Sequence, residues 1–162
     1  MLTIRPTLRR LALGPEQCIC HGGAFEYGCV GSNFYGTHCS EVCRDFPEFR
    51  PTGFAADGSW DYAGIAQKET EDECRARGER LVSWLFSPEV SCAGTVVLVT
   101  HQTFGDLLCQ LLVDGSGSDW AYGEVQYRMK NVSTTEVFIH PDGKARLVET
   151  GCVPAGCPSA RG

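Results

Sequence analysis

The sequence predicts an α/β sandwich. Three observations carry that reading: a continuous apolar run at 96–99, helical apolar patterns on both sides of it, and a hairpin signature downstream. A strand covered on both faces and flanked by helices is the building unit of α/β proteins. With 162 residues, 43% hydrophobic and 21% charged, the chain suits one domain with a real core rather than a disordered polypeptide. That domain is expected to span 1–150, with 151–162 as a flexible tail.

Taken in order, 3–13 reads as a helix, with Ile4, Leu8 and Leu11 at helical spacing and Gly14 and Pro15 as its stop. The same stretch is basic, with no acid before Glu16, so a mitochondrial transit peptide is a second reading. From 16 to 66 neither the helical nor the strand period holds for long. Such a long irregular region is expected to be either functional or a poorly ordered insertion, with Phe34, Tyr35, Phe46, Phe49, Phe54, Trp60 and Tyr62 lining a pocket or packing the loop onto the domain.

Order returns at Thr70, which forms a capping box with Glu73. Cys74, Leu81, Val82 and Leu85 then share one helix face, which is expected to end near Phe86, ahead of Pro88. The run at 96–99 comes next, as a strand. Phe104, Leu107, Leu108, Leu111 and Leu112 fit a second amphipathic helix, closed by Asp114 and Gly115. Two strands, TTEVFIH and KARLVET, then flank Pro141, Asp142 and Gly143.

The net charge of −6 argues against a general nucleic-acid binder, because phosphate backbones need clustered Lys and Arg. No apolar run approaches the roughly 20 residues of a membrane span, so a cytoplasmic protein is expected. The ten cysteines raise a thiol or zinc alternative built on Cys18, Cys20, His21, His38, Cys39 and Cys43. Their spacing is not that of a zinc finger, and scattered reduced thiols with no metal or other cofactor are the default.

His101 stands where the strand gives way to a helix. In open α/β sheets ligands gather outside the carboxyl ends of strands. A helix that starts there offers unpaired N–H groups and the positive end of its dipole, which suits an anion such as phosphate. An imidazole at that point can donate to a phosphoryl oxygen or move a proton. Read locally, the sequence favours His101 as a helix cap or a satisfied core residue.

Taken together, LVTHQTFGDLLCQLL and NVSTTEVFIHPDGKARLVETG resemble the second half of the histidine phosphatases, the superfamily that includes phosphoglycerate mutase. ICHGGAFEYG is similar to that family's glycine-rich loop, and ETEDECRARGERLVSWL to the helix before its second histidine. The resemblance implies a three-layer sandwich, with a mostly parallel sheet and helices on both faces. It implies that His101 stabilises charge on a transferring phosphoryl group, that the helix-end positions Gln102 and Thr103 bind phosphate, and that a carboxylic acid protonates the leaving group. Cys20 falls where that acid is usual, and Glu26 is the nearest substitute.

The Arg-His-Gly motif that carries the family's attacking histidine occurs nowhere in the chain. The opening segment resembles the family's chain after its first strand and helix, so the protein is expected to be N-terminally truncated and to lack the first strand. The resemblance then implies phosphatase or phosphomutase ancestry, with this polypeptide inactive or nearly so. Its expected partner is a small phosphorylated substrate or a phosphoprotein. Loss of an inner strand would leave 96–99 as an open edge, so self-association is expected as well. The alternatives are a non-catalytic pseudoenzyme and the cysteine-rich thiol or zinc protein.

Overall fold

In the computed structural model, the described residues are 18–28, 36–60, 68–91, 95–115, 120–130, 133–140 and 142–153. The helix expected over 3–13, the tail beyond 153, and Phe34, Tyr35 and Tyr62 lie outside them. The described elements are β1 (Cys18–His21), α1 (Cys39–Asp45), β2 (Phe49–Thr52), α2 (Glu71–Leu85), the single turn α3 (Pro88–Ser91), α4 (Gln102–Val113), β3 (Thr134–Ile139) and β4 (Ala145–Cys152). The described residues are therefore α/β, with two small two-stranded sheets among them. β1 and β2 run parallel, in a register from Cys18 opposite Phe49 to His21 opposite Thr52. β3 and β4 form an antiparallel hairpin with a register shift around Glu136. Among the described residues no helix is long and apolar enough to cross a membrane.

α2 starts where local chemistry says it should. Thr70 Oγ1 accepts from the Glu73 amide at 3.3 Å, and Glu73 Oε2 accepts from the Thr70 amide at 2.8 Å. Two of the helix's otherwise unpaired donors are thus satisfied reciprocally. The buried face carries Cys74, Arg77, Gly78 and Leu81. Gly78 lets α2 approach α4 closely, because a Cβ there would sit 2.8 Å from Leu111 Cδ1 and 3.2 Å from Leu107 Cδ2.

α4 is the centre of the molecule. Every residue from 104 to 111 is buried, so it is covered on more than the single face its apolar spacing suggested. Phe104, Leu107, Leu108 and Leu111 meet Cys74 and Leu81 from α2 and Trp120 from the segment after α4. Each such side chain contributes roughly 1.5–3 kcal/mol on burial. Gly105 makes room for Met129, whose sulfur would lie 2.8 Å from an added Cβ. The helix ends at Asp114, with Gly115 taking a φ of +77°.

Two expectations need correction. The stretch 16–66 is not wholly irregular, since it contains β1, α1 and β2. These elements are four to seven residues long, too short to establish a period. The run at 96–99 belongs to no strand among the described residues, and Val96, Val97 and Val99 are exposed. β1 pairs with β2 and β3 with β4, so neither sheet takes it up. Of the four residues, Leu98 packs against the helical core described here.

Candidate functional site

The N-terminus of α4 is the focus. His101 is its N-cap residue, with extended backbone, an exposed side chain and no capping hydrogen bond from its ring. The first turn of α4 has no acid of its own. The partner for its free amides arrives from far along the chain. Glu26 Oε1 accepts from the Phe104 amide at 3.0 Å, and Oε2 faces the Thr103 amide at 3.4 Å. Oε1 also accepts from the Tyr27 amide at 2.8 Å. A carboxylate on two amides at the positive end of a helix dipole is a favourable arrangement.

Glu26 stands there because the loop before it is held at three consecutive carbonyls. Arg77 Nη1 donates to the carbonyls of Gly23 (2.8 Å) and Phe25 (3.0 Å). Between them, Thr100 Oγ1 donates to the Ala24 carbonyl at 3.0 Å. The turn also needs Gly22, where a Cβ would lie 2.6 Å from the Gly53 carbonyl oxygen. The glycine pair seen in the sequence therefore serves close approach and a tight turn, and the turn delivers Glu26 to the helix end.

Arg77 is the residue that sequence reasoning missed. It is 1% exposed and pairs with Glu69, itself 2% exposed. Nε donates to Glu69 Oε1 at 2.7 Å and Nη2 to Oε2 at 2.8 Å, the two-pronged geometry that suits guanidinium and carboxylate. Nη2 also faces Cys74 Sγ at 3.6 Å. The Phe25 and Phe104 rings sandwich the guanidinium, with centroids 3.7 and 4.0 Å from Cζ. The signal was present in the sequence: Arg77 falls between Cys74, Gly78 and Leu81, on the face assigned to the core.

A second buried acid, Asp106, lies within α4 at 1% exposure. It accepts from Gln110 Nε2 at 2.9 Å and from the Tyr127 amide. Burial pushes its carboxyl above the usual carboxylate range, against the lowering effect of these donors. On the same side, Gln102 is the exposed first residue of α4. It borders an open cleft of about 970 Å³, which Gln110, Glu124, Gln126, Arg128 and Lys130 also line.

Of the four residues singled out from the sequence, Glu26, Thr103 and His101 converge on one helix end, and Gln102 turns toward the neighbouring cleft. Cys20 is half-buried, and burial, followed by the nearby Cys43, pushes its thiol up, so it keeps its proton at neutral pH. Burial holds Cys74 up to about 12 and Cys109 up to about 11. The other histidines have structural surroundings. His21 lies against Trp84 with ring centroids 4.5 Å apart, and His38 caps α1, its Nδ1 accepting from the Ser40 amide at 3.2 Å. His140 Nδ1 lies 2.9 Å from Asp142 at the hairpin tip. Among the described residues no three His, Cys, Asp or Glu side chains gather as a metal site would require.

Of the loop aromatics, Trp60 stacks on Phe25 at 5.1 Å, and Phe46 meets Phe49 edge-on at 6.0 Å. They pack the loop rather than open a pocket. Comparisons of the chain with protein-family models, with curated proteins and with solved structures find no match in any of the three.

Proposed function

We propose that the chain binds phosphate esters at the N-terminus of α4, in the manner of a histidine-phosphatase-like protein, without transferring the phosphoryl group. The observation that carries this reading is the occupation of that helix end by Glu26. The chain already holds an anion on the amides of Thr103 and Phe104, beside an exposed His101 whose ring makes no capping bond. A phosphate monoester brings the same acceptor chemistry with more charge. To bind, it displaces Glu26 or shares its donors, and an imidazolium at His101 would offset part of the added charge. The three-layer sandwich belongs to the same proposal, and the parallel β1–β2 pair and the α2–α4 packing support it.

The absence of Arg-His-Gly removes the attacking group, so only binding and charge stabilisation remain. The test titrates inorganic phosphate into the wild type, Glu26→Gln and His101→Ala, with amide chemical shifts as the readout. Phosphate should move the Thr103 and Phe104 amides. Glu26→Gln should tighten binding by roughly tenfold, since one competing negative charge is gone. His101→Ala should weaken it, and an aryl phosphate should not be hydrolysed. Unmoved amides in both the wild type and Glu26→Gln would refute the binding site. Turnover, or an acid-labile phosphate on His101, would refute the lack of transfer.

A further inference from the structure

We propose that the cleft between α4 and the segment 123–130 binds an acidic peptide, whose carboxylates meet Arg128 and Lys130. The cleft holds about 970 Å³, more than a lone phosphate or carboxylate group fills and within the range that ligand pockets use. Arg128 and Lys130 line it, and both are exposed. Arg44, Arg75, Arg77 and Lys144 each face a carboxylate of this chain. Among the described residues, the side chains of Arg128 and Lys130 have neither a carboxylate nor a hydrogen-bond partner. Glu124 lines the same cleft and pairs with neither of them. The chain has 20 acids against 14 Lys and Arg, yet these two neighbouring cations are left without an acid. Their chemical complement is an anion from outside.

The rest of the lining selects a peptide among anions. Gln102 brings a side-chain amide with no partner among the described residues, and a primary amide both donates and accepts, as a peptide group requires. Gln110 is 6% exposed, and its Nε2 donates to Asp106 at 2.9 Å, which leaves its carbonyl oxygen to accept from a ligand N–H. From Gln102 to Gln110 α4 rises by roughly 12 Å, the length of three to four extended residues. Val125 and Met129 add apolar surface for the aliphatic parts of side chains. A nucleic acid gains little here, because two cations neutralise only two phosphates and the net charge of −6 opposes the rest.

The spacing of the cations sets the sequence that fits. Exposure alternates along this segment, with Tyr127 and Met129 half-buried and Arg128 and Lys130 exposed. The two cations therefore leave the segment on one side. An extended peptide also puts alternate side chains on one face, so the matching ligand carries acids two residues apart. The cleft shares Gln102 with the end of α4, but the peptide needs neither the Thr103 nor the Phe104 amide. The two sites thus stand or fall separately.

Fluorescence anisotropy of a labelled Ser-Glu-Leu-Glu-Ser peptide, titrated with the full chain under reducing conditions, tests the proposal. Binding should saturate and should weaken as salt rises. Arg128→Glu and Lys130→Glu should each weaken it by about tenfold or more, because a like charge then faces the peptide carboxylates. A peptide with lysine at both glutamate positions should prefer the double variant to the wild type. Both substitutions lie at exposed positions, and unchanged circular dichroism would verify that the fold persists. The Thr103 and Phe104 amides should respond to inorganic phosphate in both single variants as they do in the wild type. A wild type that does not bind, a glutamine peptide held as tightly as the glutamate one, or an Arg128→Glu variant of unchanged affinity would each overturn the site. Equal affinity for an oligonucleotide of the same charge would overturn it too, by showing charge attraction alone. The glutamate and glutamine peptides decide with the wild type, without any variant.

Discussion

The α2–α4 seam and the run at 95–99 are built from similar side chains and end in opposite environments. In the seam, Leu81 and Leu107 are fully buried, and Gly78 brings the helices close. In the run, Val97 remains 40% exposed although its neighbours are as apolar. Apolarity is common to both and so does not explain the difference. The seam has a complementary surface facing it and a buried ion pair that ties in the adjoining loop. Among the described residues the run has one inward side chain, Leu98, and no strand paired with it. Burial is set by the partner as much as by the side chain.

The largest way to break this contrast is to open the seam at Arg77. Arg77→Met leaves the buried Glu69 carboxylate without its cation and the Gly23 and Phe25 carbonyls without their donor. Removing one partner of a buried ion pair costs about 3–5 kcal/mol, most of it from the stranded charge. Urea denaturation should register that loss. Adding Glu69→Leu should recover a substantial part of it, since an apolar pair strands no charge. A single-variant loss below about 1 kcal/mol would mean the pair does not hold the seam.

Most of what the sequence revealed was local. The Thr70–Glu73 box, the spacing of Phe104, Leu107, Leu108 and Leu111, the stop at Asp114 and Gly115, and the hairpin strands all lie within a few residues of the features that encode them. They match α2, α4, β3 and β4. The hidden features depend on distant partners. Glu26 reaches α4 across 78 positions of chain, and Arg77 reaches Phe25 across 52. The burial of 96–99 was misjudged for the same reason, because an apolar run states what a strand would prefer and not whether a neighbour exists. At the site, a histidine before a helix and a glycine-rich turn were legible, but their meeting through a carboxylate was not.

A matched pair of truncations sharpens the comparison. Leu107→Ala deletes buried methyl groups in the seam and should cost roughly 2–5 kcal/mol. Val97→Ala deletes methyl groups that already face solvent and should stay within about 0.5 kcal/mol, measured at a dilution where the chain is monomeric. Equal costs at the two positions would show that the run is covered in solution.

The smallest expected effect concerns how charge is buried near the seam. Glu69 has a guanidinium beside it, whereas the donors to Asp106 are neutral, namely the Tyr127 and Gln126 amides and the Gln110 and Trp120 side chains. Burial raises the Asp106 carboxyl above its ordinary value of 3.8, so the native state holds that proton more tightly than the unfolded chain does. Stability from this group is therefore greatest in acid and is lost as pH rises from near 3.8 through the raised native value. Asp106→Asn cannot titrate. Its unfolding free energy relative to the wild type should thus move in the variant's favour between about pH 3 and about pH 7. Other carboxylates titrate alike in both proteins and cancel from the difference. Movement in the opposite direction would mean that the Tyr127 and Gln110 donors outweigh burial, and that Asp106, like Glu69, is a charge the fold compensates rather than tolerates.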